Sequence, residues 1–233
     1  MKVAFAGVFA GQVADRVRAR LRIPCEVTLT DDREIGPRLG DTDVLVSMAF
    51  TREMAAAAPR LRLVQVPGAG LDRIDRGALA PGTALANAYG HDVGIAEYVI
   101  GAMLAVTRTF CRIDADLRRG RWDSVWSGAP VPLWPELAGK TLGIIGYGRI
   151  GQAVARRALA FDMDVLAIRR DASRPDPHRL AFLRGPAALD EVLGRADYLA
   201  ITLALTPDTR GAHRRTAARA AQAHRGAGQR GPR

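Results

Sequence analysis

Short apolar runs alternate with amphipathic stretches along residues 1–93, the pattern of a parallel α/β sheet. Thr51 is a good helix N-cap, and Pro59 would end the helix that it begins. The pattern predicts strands at residues 2–6, 26–29, 44–48, 63–66 and 85–87, with helices at 12–21 and 51–58. These elements predict a doubly wound, flavodoxin-like unit.

Apolar residues recur at helical spacing after this unit and predict one long helix over residues 94–119. Residues 120–135 are irregular and contain Trp122, Trp126 and Trp134. This segment either crosses a hydrophobic surface or forms an arm that contacts another subunit. A second α/β unit follows, with predicted strands at 142–145, 165–168, 181–183 and 198–203 and helices at 151–160 and 187–193.

Composition excludes several classes of protein. With 233 residues, 48% of them hydrophobic, and a mean hydropathy of −0.03, the chain is no acidic disordered protein, collagen-like fibre or small disulfide scaffold. Cys25 and Cys111 lie far apart without metal-ligand spacing, so we expect no metal. The N-terminal apolar run is too short for a signal peptide, and the most apolar stretch, 93–107, carries Glu97. We therefore expect a soluble cytoplasmic protein without a membrane partner.

The net charge of +10 and the pI of about 10.8 are typical of nucleic-acid binders, but the charge is unevenly spread. Residues 211–233 hold six Arg and no Asp or Glu, which leaves +4 over residues 1–210. The same 23 residues contain no Val, Leu, Ile, Met or aromatic residue that could stack on bases. We expect no nucleic-acid partner.

The sequence Gly146-Tyr147-Gly148-Arg149-Ile150-Gly151 is a GxGxxG motif between a predicted strand and a predicted helix. The first Gly permits a tight turn, the second lets a pyrophosphate approach the backbone, and the third lets helix and strand pack closely. The helix N-terminus then favours the phosphate charge. This context predicts a dinucleotide site.

The end of the next strand indicates which dinucleotide binds. NAD sites place an acidic residue about 20 positions after the motif begins, on the ribose 2′-hydroxyl. Arg169, followed by Arg170, takes that position here, and an Arg suits a 2′-phosphate. We predict NADP as the preferred cofactor, with NAD possible. The alternative is that both arginines are solvated and Asp171 holds the ribose.

Several segments resemble the D-isomer-specific 2-hydroxyacid dehydrogenase family over about residues 40–211. They are 68–75, 95–97, 119–122, 136–151 and 206–211. The resemblance implies an oxidoreductase that transfers hydride between NAD(P)H and a small 2-oxo or 2-hydroxy acid, and homodimers among intact relatives. It also implies an incomplete Rossmann cofactor domain beside a flavodoxin-like substrate domain. Residues 1–93 would be part of the substrate domain, 94–211 the first half of the Rossmann domain, and 212–233 an aberrant, disordered basic tail.

The resemblance also assigns site residues. Backbone amides near Gly68, Ala69 and Gly70 would face the substrate carboxylate. Arg149 and Ile150 would contact the pyrophosphate, while Ala69 and Leu203 would lie near the nicotinamide.

The sequence departs from the family pattern at two places. The His-x-Pro-Leu segment after the fourth cofactor strand reads Thr202-Leu203-Ala204-Leu205 here. The family's catalytic Arg, in VNxxRG, and its Glu and His should follow Gly211, but none is found there. His213 and His224 stand in the basic tail without a nearby carboxylate. We therefore name no catalytic residue and expect no turnover; the alternative is a non-catalytic NADP-binding protein.

A shifted reading frame would account for this tail. When residues 212–233 are written as degenerate codons, with Arg as CGN, and read one nucleotide later, they permit a sequence ending Leu-Val-Asn-Val-Ala-Arg-Gly. That ending contains the missing VNxxRG. The hypothesis is a frameshift between about Pro207 and Gly211, followed by early termination.

Overall fold

A computed structural model describes residues 1–31, 35–128, 134–212, 214 and 216 of the chain. Contacts within the chain divide it into two compact units, Met1–Gly90 and His91–Arg233. Each unit is described by itself.

The first unit is a five-stranded parallel sheet with strand order β2-β1-β3-β4-β5, the flavodoxin-like order that the sequence predicts. Its elements are β1 (Lys2–Ala6), α1 (Val8–Arg18), β2 (Glu26–Thr30), β3 (Val44–Ser47), α2 (Arg52–Ala57), β4 (Leu63–Val66) and β5 (Ala84–Asn87). Phe5, Leu45 and Val64 are fully buried on the central strands. Thr51 caps α2 as predicted, because its Oγ1 accepts a hydrogen bond from Met54 N at 3.2 Å.

The second unit contains a four-stranded parallel sheet with strand order β8-β7-β6-β9. Its elements are α3 (Asp92–Thr107), α4 (Phe110–Arg118), β6 (Thr141–Ile145), α5 (Arg149–Ala160), β7 (Asp164–Ile168), β8 (Phe182–Arg184), α6 (Leu189–Arg195) and β9 (Tyr198–Ile201). This order is that of the first four strands of a Rossmann fold, which confirms the predicted fold class. The strand that precedes the glycine motif, β6, lies between β7 and β9.

Small residues let the layers of the second unit approach closely. Ala96 on α3 and Ala155 and Ala158 on α5 are completely buried in one core cluster. A Cβ on Gly143 of β6 would lie 2.8 Å from Val192 Cγ1, so only glycine leaves room for α6 at this point.

The single helix predicted over residues 94–119 is wrong, because α3 and α4 meet at an angle of 61°. The last residue of α3, Thr107, donates through Oγ1 to Met103 O at 2.7 Å, which tends to bend a helix. Thr109 follows with a left-handed φ of 50°. Within the described residues, no single helix is long and apolar enough to cross a membrane. Only α3 and α4 taken together satisfy that length and composition test.

Most of the segment predicted to be a disordered tail lies outside the described residues, including His213 and His224. Ala212, Arg214 and Thr216 are described, and all three have helical backbone. Thr216 is buried.

Candidate functional site

The GxGxxG motif forms a tight turn between β6 and α5. Gly146 has a φ of 108°, and its N–H donates to Ile168 O at 2.9 Å, as does the N–H of Tyr147. A Cβ on Gly146 would lie 2.9 Å from the backbone N of Leu203. Glycine is therefore required both by the left-handed backbone and by the closeness of the segment after β9.

The third glycine of the motif brings α5 against the turn. A Cβ on Gly151 would lie 2.5 Å from Gly146 O and 3.1 Å from Ile144 Cγ2. Thr202 Oγ1 donates to Gly146 O at 2.7 Å and joins the turn to the residue that follows β9. Any side chain at residue 151 would push the helix away from the strand.

The middle glycine faces open space at the start of α5. Gly148 is the N-cap residue, and among the described residues no side chain caps this helix. Apart from the two chain neighbours of Gly148, no heavy atom of these residues lies within 4 Å of a Cβ built there. Arg149 and Ile150 are the first helical residues; Arg149 is exposed, whereas Ile150 packs partly against the core. Room beside glycine backbone and a helix N-terminus are the features that accommodate a pyrophosphate.

A buried tyrosine, which the sequence analysis missed, anchors the loop after β7 to this turn. Tyr147 Oη donates to Asp176 Oδ1 at 2.7 Å, and Asp176 also accepts from the backbone N–H groups of His178 and Leu180. Burial, followed by the hydrogen bond to Asp176, raises the pKa of Tyr147 well above its usual value. Burial alone would raise the pKa of Asp176, but the three hydrogen bonds outweigh it and lower that pKa.

The two arginines at the end of β7 have different surroundings. The Arg169 guanidinium lies 5.9 Å from the centroid of the Tyr147 ring and donates to Pro175 O at 3.3 Å, Ala172 O at 3.4 Å and Arg174 O. Arg169 is therefore partly buried rather than solvated. Arg170 is exposed and has its Nη2 3.7 Å from Asp208 Oδ2.

Asp171, the alternative ribose ligand, is held within the loop after β7. Its carboxylate accepts from the N–H and the hydroxyl of Ser173. The Ser173 hydroxyl, followed by its N–H, lowers the pKa of this carboxyl.

The glycine loop after β4 belongs to the first unit. Gly68 O accepts from Ala88 N, and Ala69 O accepts from Asn87 Nδ2, both at 3.0 Å. A trans peptide points its N–H away from its C=O, so the N–H groups of Ala69 and Gly70 point away from the end of β5. Two successive backbone N–H groups that point to the same side can bind an anion together.

The structure brings one group of the expected site residues together. Gly146, Gly151 and the Leu203 backbone are in close contact, and Arg169 reaches the same turn through Tyr147. Gly68, Ala69 and Gly70 form a separate loop in the other unit. Among the described residues, no three His, Cys, Asp or Glu side chains group as metal ligands would.

Comparisons with known proteins agree with this architecture. The family described as D-isomer specific 2-hydroxyacid dehydrogenase, NAD binding domain, matches residues 100–224. The D-3-phosphoglycerate dehydrogenase of Methanocaldococcus jannaschii is 35% identical over 189 residues, which cover 76% of this chain and 34% of that protein. The hydroxypyruvate reductase of Thermotoga maritima is 34% identical over 175 residues, with coverages of 73% and 54%. The chain thus spans about a third to a half of the length of these relatives.

Solved structures share the same fold. An acyclic imino acid reductase in complex with NADPH and D-Arg superimposes with a TM-score of 0.72 over 90% of this chain and 67% of that one, at 24% identity. A D-lactate dehydrogenase from Aquifex aeolicus, complexed with NAD and lactic acid, gives a TM-score of 0.71 over 89% and 62%, at 25% identity. The family match covers more than half of the chain and includes the glycine turn. The chain belongs to the D-isomer-specific 2-hydroxyacid dehydrogenase family.

Proposed function

We propose that the second unit binds NADP(H), the cofactor of a reaction between a small 2-oxo acid and its 2-hydroxy acid. The observation that carries the proposal is the open space beside Gly148 at the uncapped start of α5. The backbone of Gly148, Arg149 and Ile150 would hold the pyrophosphate there. The bound cofactor would supply the hydride.

The charge at the end of β7 supports NADP over NAD. Two adjacent guanidinium groups, those of Arg169 and Arg170, occupy the region where NAD enzymes place a carboxylate. Guanidinium groups form charge-assisted hydrogen bonds with the negatively charged oxygens of a 2′-phosphate. The 2′-hydroxyl of NAD carries no charge, so it binds a guanidinium group less strongly.

The glycine loop of the first unit would bind the other reactant. The outward amides of Ala69 and Gly70 suit the carboxylate of a 2-oxo acid, because backbone N–H groups stabilise anions without a counter-charge. Relatives named for glyoxylate and hydroxypyruvate suggest small acids of that kind as the first substrates to test.

We also propose that the chain, as its sequence stands, binds the cofactor without turning over substrate. Proton transfer to the substrate oxygen at neutral pH calls for a group such as a His tuned by a carboxylate. Residues 211–233, where the resemblance would place VNxxRG, contain no such motif and no Asp or Glu. A non-catalytic NADP-binding protein is the alternative, and a binding partner that responds to the cofactor would distinguish it.

One experiment tests these statements together. The full chain is titrated with NADPH and with NADH, followed by nicotinamide fluorescence, and is then assayed with glyoxylate and hydroxypyruvate. We expect tighter binding of NADPH and no oxidation of it. Tighter binding of NADH contradicts the NADP preference, and turnover contradicts the proposed inactivity. If neither cofactor binds, the cofactor site itself is wrong.

We propose a second copy of the chain as the partner that covers the exposed apolar side chains of α3 and α4 and those of Trp122 and Trp126. Trp126 is 93% exposed, and Tyr98, Val106, Phe110 and Trp122 are also exposed. Such a collection of exposed large apolar side chains is typical of an interaction surface. Light scattering after gel filtration should give a dimer mass for the wild type and a monomer for Trp126→Ser. Val8→Ser, at an exposed apolar residue of the first unit, should remain dimeric.

A further inference from the structure

Arg169 and Arg170 are adjacent in sequence but differ in how freely their side chains can meet a ligand. We propose that Arg170 binds the 2′-phosphate of NADP, that Asp208 occupies Arg170 until the phosphate arrives, and that Arg169 only positions the loop after β7. This inference rests on the proposed function, since it requires that the second unit binds the dinucleotide.

Arg169 is already engaged by the protein. Its guanidinium donates to the carbonyls of Ala172, Arg174 and Pro175 and lies against the Tyr147 ring. Its Nε is buried and finds no hydrogen-bond partner among the residues that the structure describes. Turning this side chain towards a ligand would leave three loop carbonyls without that donor. Arg169 therefore holds the loop in place.

Arg170 is free to exchange partners. Its side chain is 76% exposed, and among the described residues its ion pair is with Asp208, whose side chain is 83% exposed. Exposed ion pairs contribute little to stability, so breaking this one costs little. A phosphate carries more charge than a carboxylate and can accept two N–H groups of one guanidinium, so it displaces Asp208.

The backbone at Asp208 belongs to a turn that its neighbours close by hydrogen bonds. Thr209 Oγ1 donates to Ala204 O at 2.6 Å and accepts from Thr206 N at 2.8 Å, which closes the turn around residues 206–209. The carboxylate thus bridges the turn after β9 to the end of β7. When the phosphate takes Arg170, the two anions are close, so Asp208 weakens binding of a phosphorylated ribose and leaves an unphosphorylated one unaffected.

The test compares two ligands that differ only in this phosphate, 2′,5′-ADP and 5′-AMP, by calorimetric titration of the full chain. Wild type should bind 2′,5′-ADP more tightly than 5′-AMP, and the ratio of the two affinities is the preference that the variants test. Arg170→Gln should reduce that preference by about 10-fold or more, the usual value of a charge-assisted hydrogen bond. Asp208→Asn should tighten binding of 2′,5′-ADP by about two- to five-fold, as expected for loss of a surface charge contact, with little effect on 5′-AMP.

Arg174→Gln is the matched control. Arg174 stands in the same loop, is also 76% exposed, and pairs with an aspartate, Asp171, at the same distance of 3.7 Å. Its substitution should leave the preference within about two-fold, since we assign it no ligand contact. Arg169→Gln should weaken binding of both ligands by similar factors and lower the unfolding midpoint.

The outcomes separate this inference from the proposed function. If Arg169→Gln removes the preference and Arg170→Gln does not, or if Arg174→Gln matches Arg170→Gln, the assignment to Arg170 is overturned. If Asp208→Asn leaves the affinity for 2′,5′-ADP unchanged, the role of Asp208 is overturned. If wild type binds neither ligand, the proposed function fails first.

Discussion

The hydroxyl of Tyr147 donates a 2.7 Å hydrogen bond to the carboxylate of Asp176, 29 residues later in the chain. It joins the glycine turn, which would hold the pyrophosphate, to the loop after β7, whose arginines would lie near the ribose. The two halves of the candidate cofactor site are therefore mechanically connected.

Tyr147→Phe should destabilise the chain by about 1–2 kcal/mol at neutral pH, because Asp176 loses a donor while remaining partly buried. Urea unfolding measures the loss. Tyr98→Phe is the control, because it removes one hydroxyl from an exposed tyrosine and keeps the apolar ring that the proposed dimer contact would use. It should change the free energy of unfolding by less than about 0.5 kcal/mol. Equal losses in the two variants would contradict the assigned role of the hydrogen bond.

The pKa shifts of Tyr147 and Asp176 make the stability loss in Tyr147→Phe depend on pH. Because the pKa of Asp176 is lowered in the folded chain, its ionised carboxylate stabilises the fold above the ordinary pKa of 3.8. This stabilisation is lost as the pH falls through the pKa of the folded state. Because the pKa of Tyr147 is raised in the folded chain, its protonated hydroxyl stabilises the fold below the ordinary pKa of 10. This stabilisation is lost progressively as the pH rises from that value through the pKa of the folded state. The stability difference between wild type and Tyr147→Phe should thus be constant near neutrality and shrink below about pH 4 and above about pH 10.

The strands of both sheets follow from the sequence because buried parallel strands are short apolar runs, and each predicted strand was found within two residues at either end. The glycine turn was equally predictable, because Gly146 and Gly151 are demanded by backbone conformation and contact. At the strands and at the glycine turn, short-range sequence patterns are therefore enough to predict the backbone structure.

Long-range side-chain contacts were not predictable in the same way. No periodicity relates Tyr147 to Asp176, and nothing in an Arg-Arg pair indicates that Arg169 turns onto loop carbonyls while Arg170 remains exposed. The break at Thr109 also escaped prediction, because a Thr-Arg-Thr sequence is compatible with a continuous helix until tertiary contacts decide. Tyr198 Oη supplies one such contact, 2.6 Å from Thr107 Oγ1.

Substitution of two glycines of the motif by alanine should affect different properties. Gly151→Ala should mainly lower stability, and Gly148→Ala should mainly weaken cofactor binding. Gly151→Ala should destabilise the chain by about 1–3 kcal/mol, because its Cβ would meet Gly146 O at 2.5 Å and overpack the turn. Gly148→Ala should cost less than about 1 kcal/mol, since its φ of −91° suits alanine and the Cβ meets no atom within 4 Å.

The cofactor titration of these variants completes the comparison. Gly148→Ala should weaken NADPH binding by about 10-fold or more, because the methyl group enters the space reserved for the pyrophosphate. Urea unfolding and nicotinamide fluorescence measure the two effects on the same samples. Unchanged NADPH affinity in a stably folded Gly148→Ala variant would place the pyrophosphate elsewhere.

Thr109 should be a site where substitution stabilises the protein. A β-branched residue at a φ of 50° is strained, and its buried Oγ1 has no hydrogen-bond partner within the part of the chain that the structure describes. Thr109→Gly relieves both problems and should raise the free energy of unfolding by about 1 kcal/mol. Thr109→Ala removes the hydroxyl and the γ-methyl group but keeps Cβ, so the difference between the two variants measures the cost of a Cβ in this left-handed backbone. A less stable Thr109→Gly variant would show that the Thr109 methyl group contributes more than the strain costs.

The reading-frame hypothesis predicts the nucleotide sequence behind residues 212–233. Most degenerate codons in the shifted frame leave the encoded residue open, but the Gln222 and Gln229 codons are restrictive. At residue 222, CAR followed by the G of the Ala223 codon gives ARG, which encodes Lys or Arg. At residue 229, CAR followed by the C of the Arg230 codon gives ARC, which encodes Asn or Ser. We expect these triplets to encode Lys and Asn, which requires CAA at residue 222 and CAA at residue 229. Sequencing the source DNA across residues 205–233 checks both. A CAG codon at residue 229 would replace Asn by Ser and remove the VNxxRG motif, which would refute the hypothesis.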